Sequence, residues 1–310
     1  MASSIRRLAR QLLPKDPLIR AWAAYSRRKA SHAAGILAAA GTSPAWLGLE
    51  ELSVLQNEFP LRPSTYATNV TEMERVARRR IAEMLAPVRG EAERLRRFLD
   101  LGMWDGTSCY LLKEMGKMAV GIDIRADGLT EQARASRAEY LQMDVAGLAF
   151  ADDSFDFLFS YNSMEHFPDP PQALAEAWRV TRPGGYIYLN FGPIYYSPRG
   201  AHQYDAISVP YCECLFTKET MDEFARLNGL TLTEHRWMNG WSLSNYRALW
   251  NEWADRLEKV VYYEVFNADH VGLIARFPTC FKHKSANIED FIVSNIEVLF
   301  RKRASSISDT

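Results

Sequence analysis

Between about residues 97 and 192, short apolar runs alternate with segments whose apolar positions recur at helical spacing. The runs "RRFLDLG" (96–102), "MAVGIDI" (118–124), "EYLQMDV" (139–145), "SFDFLFSYN" (154–162) and "YIYLNFG" (186–192) predict five strands. Helices are predicted over 106–116, 127–138 and 169–180, and "RPGG" (182–185) reads as a turn. The helix at 169–180 carries its own start signal: Asp169 as N-cap, Pro170 in the first turn and Gln172 completing a capping box. Near-continuous apolar strands separated by helices predict an α/β fold, with a parallel sheet covered on both faces. A ligand of such a sheet lies over the carboxyl ends of the strands.

The flanking regions read differently. Residues 1–90 are helical in texture, broken at Pro14, Pro17, Gly41, Pro44, Pro60 and Pro63. The last helix there, 71–88, has apolar positions Met73, Val76, Ile81, Met84 and Leu85, with Thr71 and Glu74 as a capping pair. Past residue 192 comes an aromatic loop, then a helix over 217–229, an alternating sixth strand at "LTLTEHRWM" (230–238) and a further strand near "HVGLIARFP" (270–278). The expected domains are a helical N-terminal extension (1–90), a core (91–245) with a substrate loop at 192–216, and a C-terminal segment (246–310) completing the core.

Charge changes this picture only at one end. The net charge is −1, so the molecule as a whole has no bias toward nucleic acid. In "SSIRRLARQLL", Ile5, Leu8 and Leu12 share a helical face ringed by Arg6, Arg7 and Arg10. That suits a helix on an anionic membrane surface, a helix capping the domain, or a mitochondrial-type presequence. No apolar run is long enough to cross a bilayer. Cys109, Cys212, Cys214 and Cys280 form no disulfide framework or zinc spacing, as in a cytoplasmic protein with reduced thiols. The oligomeric state is not readable.

Candidate chemistry gathers at the strand ends. Asp100 closes the first strand, just before Gly102, and Gly106 opens the following helix. Asp123 ends the second strand, where an acid accepts ribose hydroxyls. Asp144 ends the third, placed to accept from an adenine amino group. Three acids on three successive strands outline an adenosine-containing ligand. Trp104 stands where a middle glycine is usual in such a turn; its backbone still serves the ligand if the indole turns away.

The series "FLDLGMWDG", "VGIDI", "MDV", "SFDFLFSYNSMEHFPDP" and "EAWRVTRPGGYIYLNF" resembles the ordered motifs of class I S-adenosylmethionine (SAM) methyltransferases. "SYNSMEHFPDP" is similar to the corresponding stretch of the ubiquinone-pathway O-methyltransferases. The resemblance implies a Rossmann-like, mostly parallel seven-stranded sheet with helices on both faces and helical extensions at each end. It implies SAM as cofactor, with S-adenosylhomocysteine as product. Asp100, Gly102 and Gly106 would then shape the methionine pocket and Asp123 hold the ribose, with Trp104 and Ile124 also among the cofactor-binding residues. Asp144 and Val145 bracket the adenine, and Ser160, Tyr161 and Asn162 run beneath the sulfonium. Asn162 stands where the ubiquinone-type enzymes carry a glutamate, so no metal role is carried over to Glu165 and His166.

Methyl transfer to a hydroxyl needs a base, and His166, with Glu165 to orient it, and His202 in the loop after the fifth strand are the candidates. Tyr195, Tyr196, Tyr204 and Tyr211 either line a pocket for a small-molecule or saccharide acceptor or pack the loop. Other readings are weaker. An NAD-type oxidoreductase needs G-x-G-x-x-G, which "GMWDGT" lacks. A nucleic-acid methyltransferase is disfavoured because "SYNSMEHFP" carries no Asn/Asp-Pro-Pro-aromatic motif and the core has no basic stripe. A non-catalytic scaffold on the same fold is the remaining alternative.

Overall fold

In the computed structural model, which describes residues 17–61, 69–125, 127–232 and 238–304, the first apolar run is strand β1, Arg97–Leu101. It pairs in parallel with β2 (Met118–Asp123) on one side and β4 (Phe155–Tyr161) on the other. Strand β3 (Glu139–Gln142) extends the sheet beyond β2, and β5 (Thr181–Phe191) lies beyond β4, both in parallel. The full order is β3-β2-β1-β4-β5-β7-β6, with β6 Leu257–Phe266 and β7 Val293–Lys302. The Asn267 N–H donates to Ile292 O and the Arg303 N–H to Arg256 O, which makes β6 and β7 antiparallel. The sheet is thus mostly parallel and seven-stranded, and the strand order reverses between β1 and β4. That reversal is where a doubly wound sheet opens a crevice for ligand.

The described chain divides into two units: residues 66–191, 249–263 and 297–310 form one, and 1–65, 192–248 and 264–296 the other. In the first, α3 (Val70–Leu85) buries Ala77, Ile81 and Met84 in a core shared with Phe98, Phe157, Tyr186 and Tyr188. Its cap is Asn69, whose side chain accepts from the Glu72 N–H, so the expected Thr71 cap lies two residues too late. Helix α4 (Thr107–Glu114) follows β1, α5 (Glu131–Ala135) follows β2 and α6 (Pro170–Val180) follows β4. Asp169 caps α6 from the Gln172 N–H as the sequence predicts. The "RPGG" segment is not a turn before β5 but a bulge inside it: Phe155 pairs with Thr181 while Phe157 pairs with Tyr186. The bulge is held by Asp156, whose carboxylate accepts from the Arg96 and Arg97 amides and from Arg182 Nε.

The second unit holds α1 (Pro17–Ala39), α2 (Leu49–Glu58), α7 (Lys218–Leu227) and the first six residues of α8 (Leu243–Glu252). Arg27 and Arg247 share Glu289, and Arg247 also binds Glu264, which ties α1 and α8 to the chain around β6. The strand expected near 270–278 is instead α9 (Val271–Arg276) followed by α10 (Pro278–Lys282). The run is short enough to fit either period; Val271, Leu273 and Ile274 are buried, and Pro278 opens a new helix. Of the expected sixth strand, 230–232 carry no strand and 233–237 lie outside the described residues, as does the basic segment at 3–13. No described helix is long and apolar enough to cross a membrane.

Candidate cofactor site

The site is built where β1 ends. Asp100 is 5% exposed, with Cys109 Sγ 3.9 Å from its carboxyl. Burial pushes that carboxyl up to about 8, and the nearby charges of Asp105 and Asp123 add to the effect while Arg80 opposes it. The chain then turns through Gly102 at φ +83, where a Cβ would lie 2.3 Å from Ser163 Oγ. Only glycine lets the turn after β1 and the turn after β4 approach so closely. Gly106, at φ +73, closes the turn; a Cβ there would meet Leu129 and Tyr140 at under 3 Å.

Asp123 ends β2, half-buried. Its Oδ2 accepts from the Trp104 N–H at 3.1 Å and its Oδ1 from the Arg125 N–H at 3.0 Å. Each carboxylate oxygen keeps a second lone pair for a ligand hydroxyl. The Met143 N–H donates to Asp123 O, fixing the segment that leads to exposed Asp144 beside the end of β2. Asp144 Oδ1 accepts from the Ala146 N–H, and Val145 is buried. Ile124 and Trp104 are 59% and 56% exposed, so the indole does turn outward from the fold.

At the end of β4, Ser160 Oγ donates to Leu101 O and ties β4 to β1. The Tyr161 phenol points to α3, donating to Arg80 O at 2.8 Å, with the Arg80 guanidinium 4.8 Å from its ring centre. What Tyr161 presents to the strand ends is main chain. Asn162 takes a left-handed φ of +52, is exposed, and donates its N–H to Asn190 O. Glu165 is buried and His166 half-buried in a 3-10 turn, Met164–His166, whose His166 N–H donates to Ser163 O.

The segment built in this way, 99–189, matches the model of the methyltransferase domain family. The match covers less than a third of the chain. The sheet order, with its reversal beside β1, is the seven-stranded, mostly parallel arrangement that the sequence resemblance implies. An arsenite methyltransferase from Aquipseudomonas alcaligenes is 32% identical over 153 residues, 43% of this chain and 43% of that one. A malonyl-[acyl-carrier protein] O-methyltransferase from Serratia marcescens is 36% identical over 94 residues, 30% of this chain and 36% of that one. The chain thus spans less than half the length of these curated relatives. A solved S-adenosylmethionine dependent methyltransferase from Mesorhizobium loti aligns with 66% of this chain and 90% of its own, at 19% identity and a TM-score of 0.41.

Five residues of this unit escape a reading of the sequence. Ser163 packs against Gly102, and Arg80 lies under Tyr161. Asn190 Nδ2 donates to the Tyr188 hydroxyl, which donates to Glu297. Burial pushes Glu297 up to about 7, with Glu83 adding to the shift and Tyr188 opposing it. Only the alternation Tyr186, Tyr188, Asn190 hinted that polar groups share one face of β5.

The loop at 192–216 belongs to the other unit. His202, at φ +55, stacks on Tyr204, and its Nε2 lies 3.1 Å from Pro193 O. A carbonyl oxygen only accepts, so His202 Nε2 is the donor in that contact. Tyr195 and Tyr196 pack on each other, while Tyr211 is fully buried against Phe281. Cys212 and Cys214 flank buried Glu213, whose carboxyl burial pushes up to about 8. These thiols are buried and unpaired with one another.

Proposed function

We propose that this chain transfers a methyl group from SAM to a hydroxyl oxygen of a small molecule or saccharide, with a histidine as base. The observation that supports it most is the placing of Asp100, Asp123 and Asp144 at or just past the carboxyl ends of β1, β2 and β3, beside a glycine turn. The residues present suit an adenosyl cofactor. Asp123 offers acceptor lone pairs to a ribose diol, and Asp144 offers one to an amino group. The turn from Gly102 to Gly106 supplies backbone for the methionine moiety.

When bound, SAM supplies an electrophilic methyl on a cationic sulfur. The chain's own work is to align the acceptor in line and to exclude water, which contributes roughly 7–11 kcal/mol where geometry is well held. A buried Asp100 beside a cation is drawn toward its ionised form, so cofactor binding is coupled to proton release from that carboxyl. His166 follows directly on β4 in the unit that holds these acids, and takes the acceptor's proton in this reading. His202, in the loop after β5, is the second candidate. Relatives named for arsenite and for malonyl-acyl-carrier protein differ in acceptor chemistry, so the hydroxyl acceptor rests on the histidines and the tyrosine-rich loop alone.

Calorimetry with S-adenosylhomocysteine comes first, followed by labelled SAM with phenolic, sugar and carboxylate acceptors. Binding plus labelling of a hydroxyl supports the proposal. Binding with no acceptor labelled favours a scaffold, and no binding at millimolar cofactor ends the methyltransferase reading. His166→Ala and His202→Ala are expected to bind cofactor normally. If neither slows turnover, no histidine base operates.

A further inference from the structure

We propose that Trp104 and Arg125 form a gate over the ribose-binding carboxylate Asp123, closing on the nucleoside end of the cofactor. The inference rests on the methyltransferase reading and adds to it a part that this chain builds from its own residues. The first observation is backbone geometry. Trp104 holds φ +46, a left-handed conformation that a bulky residue adopts only when its surroundings enforce it. What enforces it is the carboxylate itself: the Trp104 N–H donates to Asp123 Oδ2, and the Arg125 N–H donates to Oδ1. One acid grips the turn after β1 and the loop after β2 together.

The side chains repeat that link. The Arg125 guanidinium stands 5.4 Å from the centre of the Trp104 indole. Gly128 gives the clearance, since a Cβ there would sit 3.1 Å from Trp104 O and 3.6 Å from indole Cδ2. The Thr130 N–H donates to Asp105 O, a further tie between the same two loops. The indole therefore lies along the loop after β2 rather than in the core, carried on a backbone whose N–H is bound to Asp123.

Its attachment is light. More than half of the indole residue is exposed, and a single exposed cation–π contact is weak. Ile124, between Asp123 and Arg125 in sequence, is equally exposed. Two large apolar side chains in water beside one carboxylate suit a ligand that joins a flat ring to a diol, which is the shape of a nucleoside. With such a ligand on Asp123, the indole gains an apolar surface to cover. Its swing away from Arg125 opens the site, and its return slows escape.

Stopped-flow binding of S-adenosylhomocysteine to the full chain tests this, comparing wild type with Trp104→Gly, Trp104→Phe and Arg125→Gln. Trp104→Gly is expected to speed ligand release at least tenfold with no loss of thermal stability, because glycine suits the left-handed turn. Arg125→Gln is expected to speed it less, and Trp104→Phe to stay within about threefold of wild type. Ligand-induced quenching of tryptophan fluorescence should shrink in Trp104→Phe. An unchanged release rate in Trp104→Gly, with the ligand still bound, overturns the gate and leaves the methyltransferase reading standing. A wild type that binds no cofactor overturns both.

Discussion

Tyr188 donates its hydroxyl to Glu297 Oε1 at 2.9 Å, joining β5 to β7 through a buried tyrosine and a half-buried glutamate. Glu297 is pushed up to about 7, and Asp100 and Glu213 to about 8, chiefly by burial. Unfolded, such carboxyls titrate near 4. The folded protein therefore holds protons between pH 4 and 8 that the unfolded chain releases. The stability from this source is full below about pH 4 and is lost as pH rises through 7 and 8.

Glu297→Gln keeps an oxygen that accepts from Tyr188 and removes the titration. Its thermal midpoint should match wild type at pH 5 and exceed it at pH 8. Melting curves that shift in parallel with pH for both proteins would show that Glu297 does not titrate as described.

Much of this unit was legible in the sequence because its strands are short apolar runs with glycines and acids at their ends, a local signal. That signal places Asp100 and Asp123 at strand ends and Asp144 near one; in the fold Asp144 lies two residues past β3. Tyr188 and Glu297 are 109 residues apart, and no local pattern announces their pairing. The same is true of Arg80 under Tyr161. The segment at 270–278 failed in another way: its apolar run fits both periods, and packing rather than pattern made it helical. The cap at Asn69 was missed because Thr71 offers a competing cap two residues on.

Asp156 gives an opposite dependence on pH. Burial pushes its carboxyl up, yet the amides of Arg96 and Arg97 and the Arg182 guanidinium together hold it below the usual range. The stability it contributes is present above about pH 4 and is lost as pH falls below that. Asp156→Ala frees the bulge in β5 and leaves two strand amides without their acceptor. The expected cost is about 2–3 kcal/mol at pH 7, read by urea denaturation, with the difference from wild type narrowing below pH 4. A cost under 0.5 kcal/mol would mean that the bulge holds without it.

Gly102 and Gly116 separate two costs of adding a Cβ. Both have positive φ, +83 and +76. Nothing lies within 4 Å of a Cβ at Gly116, whereas Ser163 Oγ lies 2.3 Å from one at Gly102. Gly116→Ala should cost about 1 kcal/mol, the price of the left-handed conformation. Gly102→Ala carries that strain and also pushes apart the turns after β1 and β4. It should be clearly more destabilising, and should weaken cofactor binding when Gly116→Ala does not. Equal effects on both measurements would show that Ser163 yields at no cost.

Asp123→Ala is the most direct check on the site. The substitution removes the acceptor proposed for a ribose diol and also the carboxylate that holds the Trp104 and Arg125 amides. Lost charge-assisted hydrogen bonds contribute roughly 1.5–3 kcal/mol, or about 10- to 150-fold in affinity for S-adenosylhomocysteine. Asp123→Asn keeps one accepting oxygen and should fall between wild type and alanine. Adenosine should lose affinity in parallel with the full cofactor, while a 2′,3′-dideoxy nucleoside should be indifferent to the change, since it has no hydroxyl for Asp123 to hold. If the dideoxy compound loses as much affinity as adenosine does, Asp123 acts by ordering the Trp104 turn rather than by binding ribose.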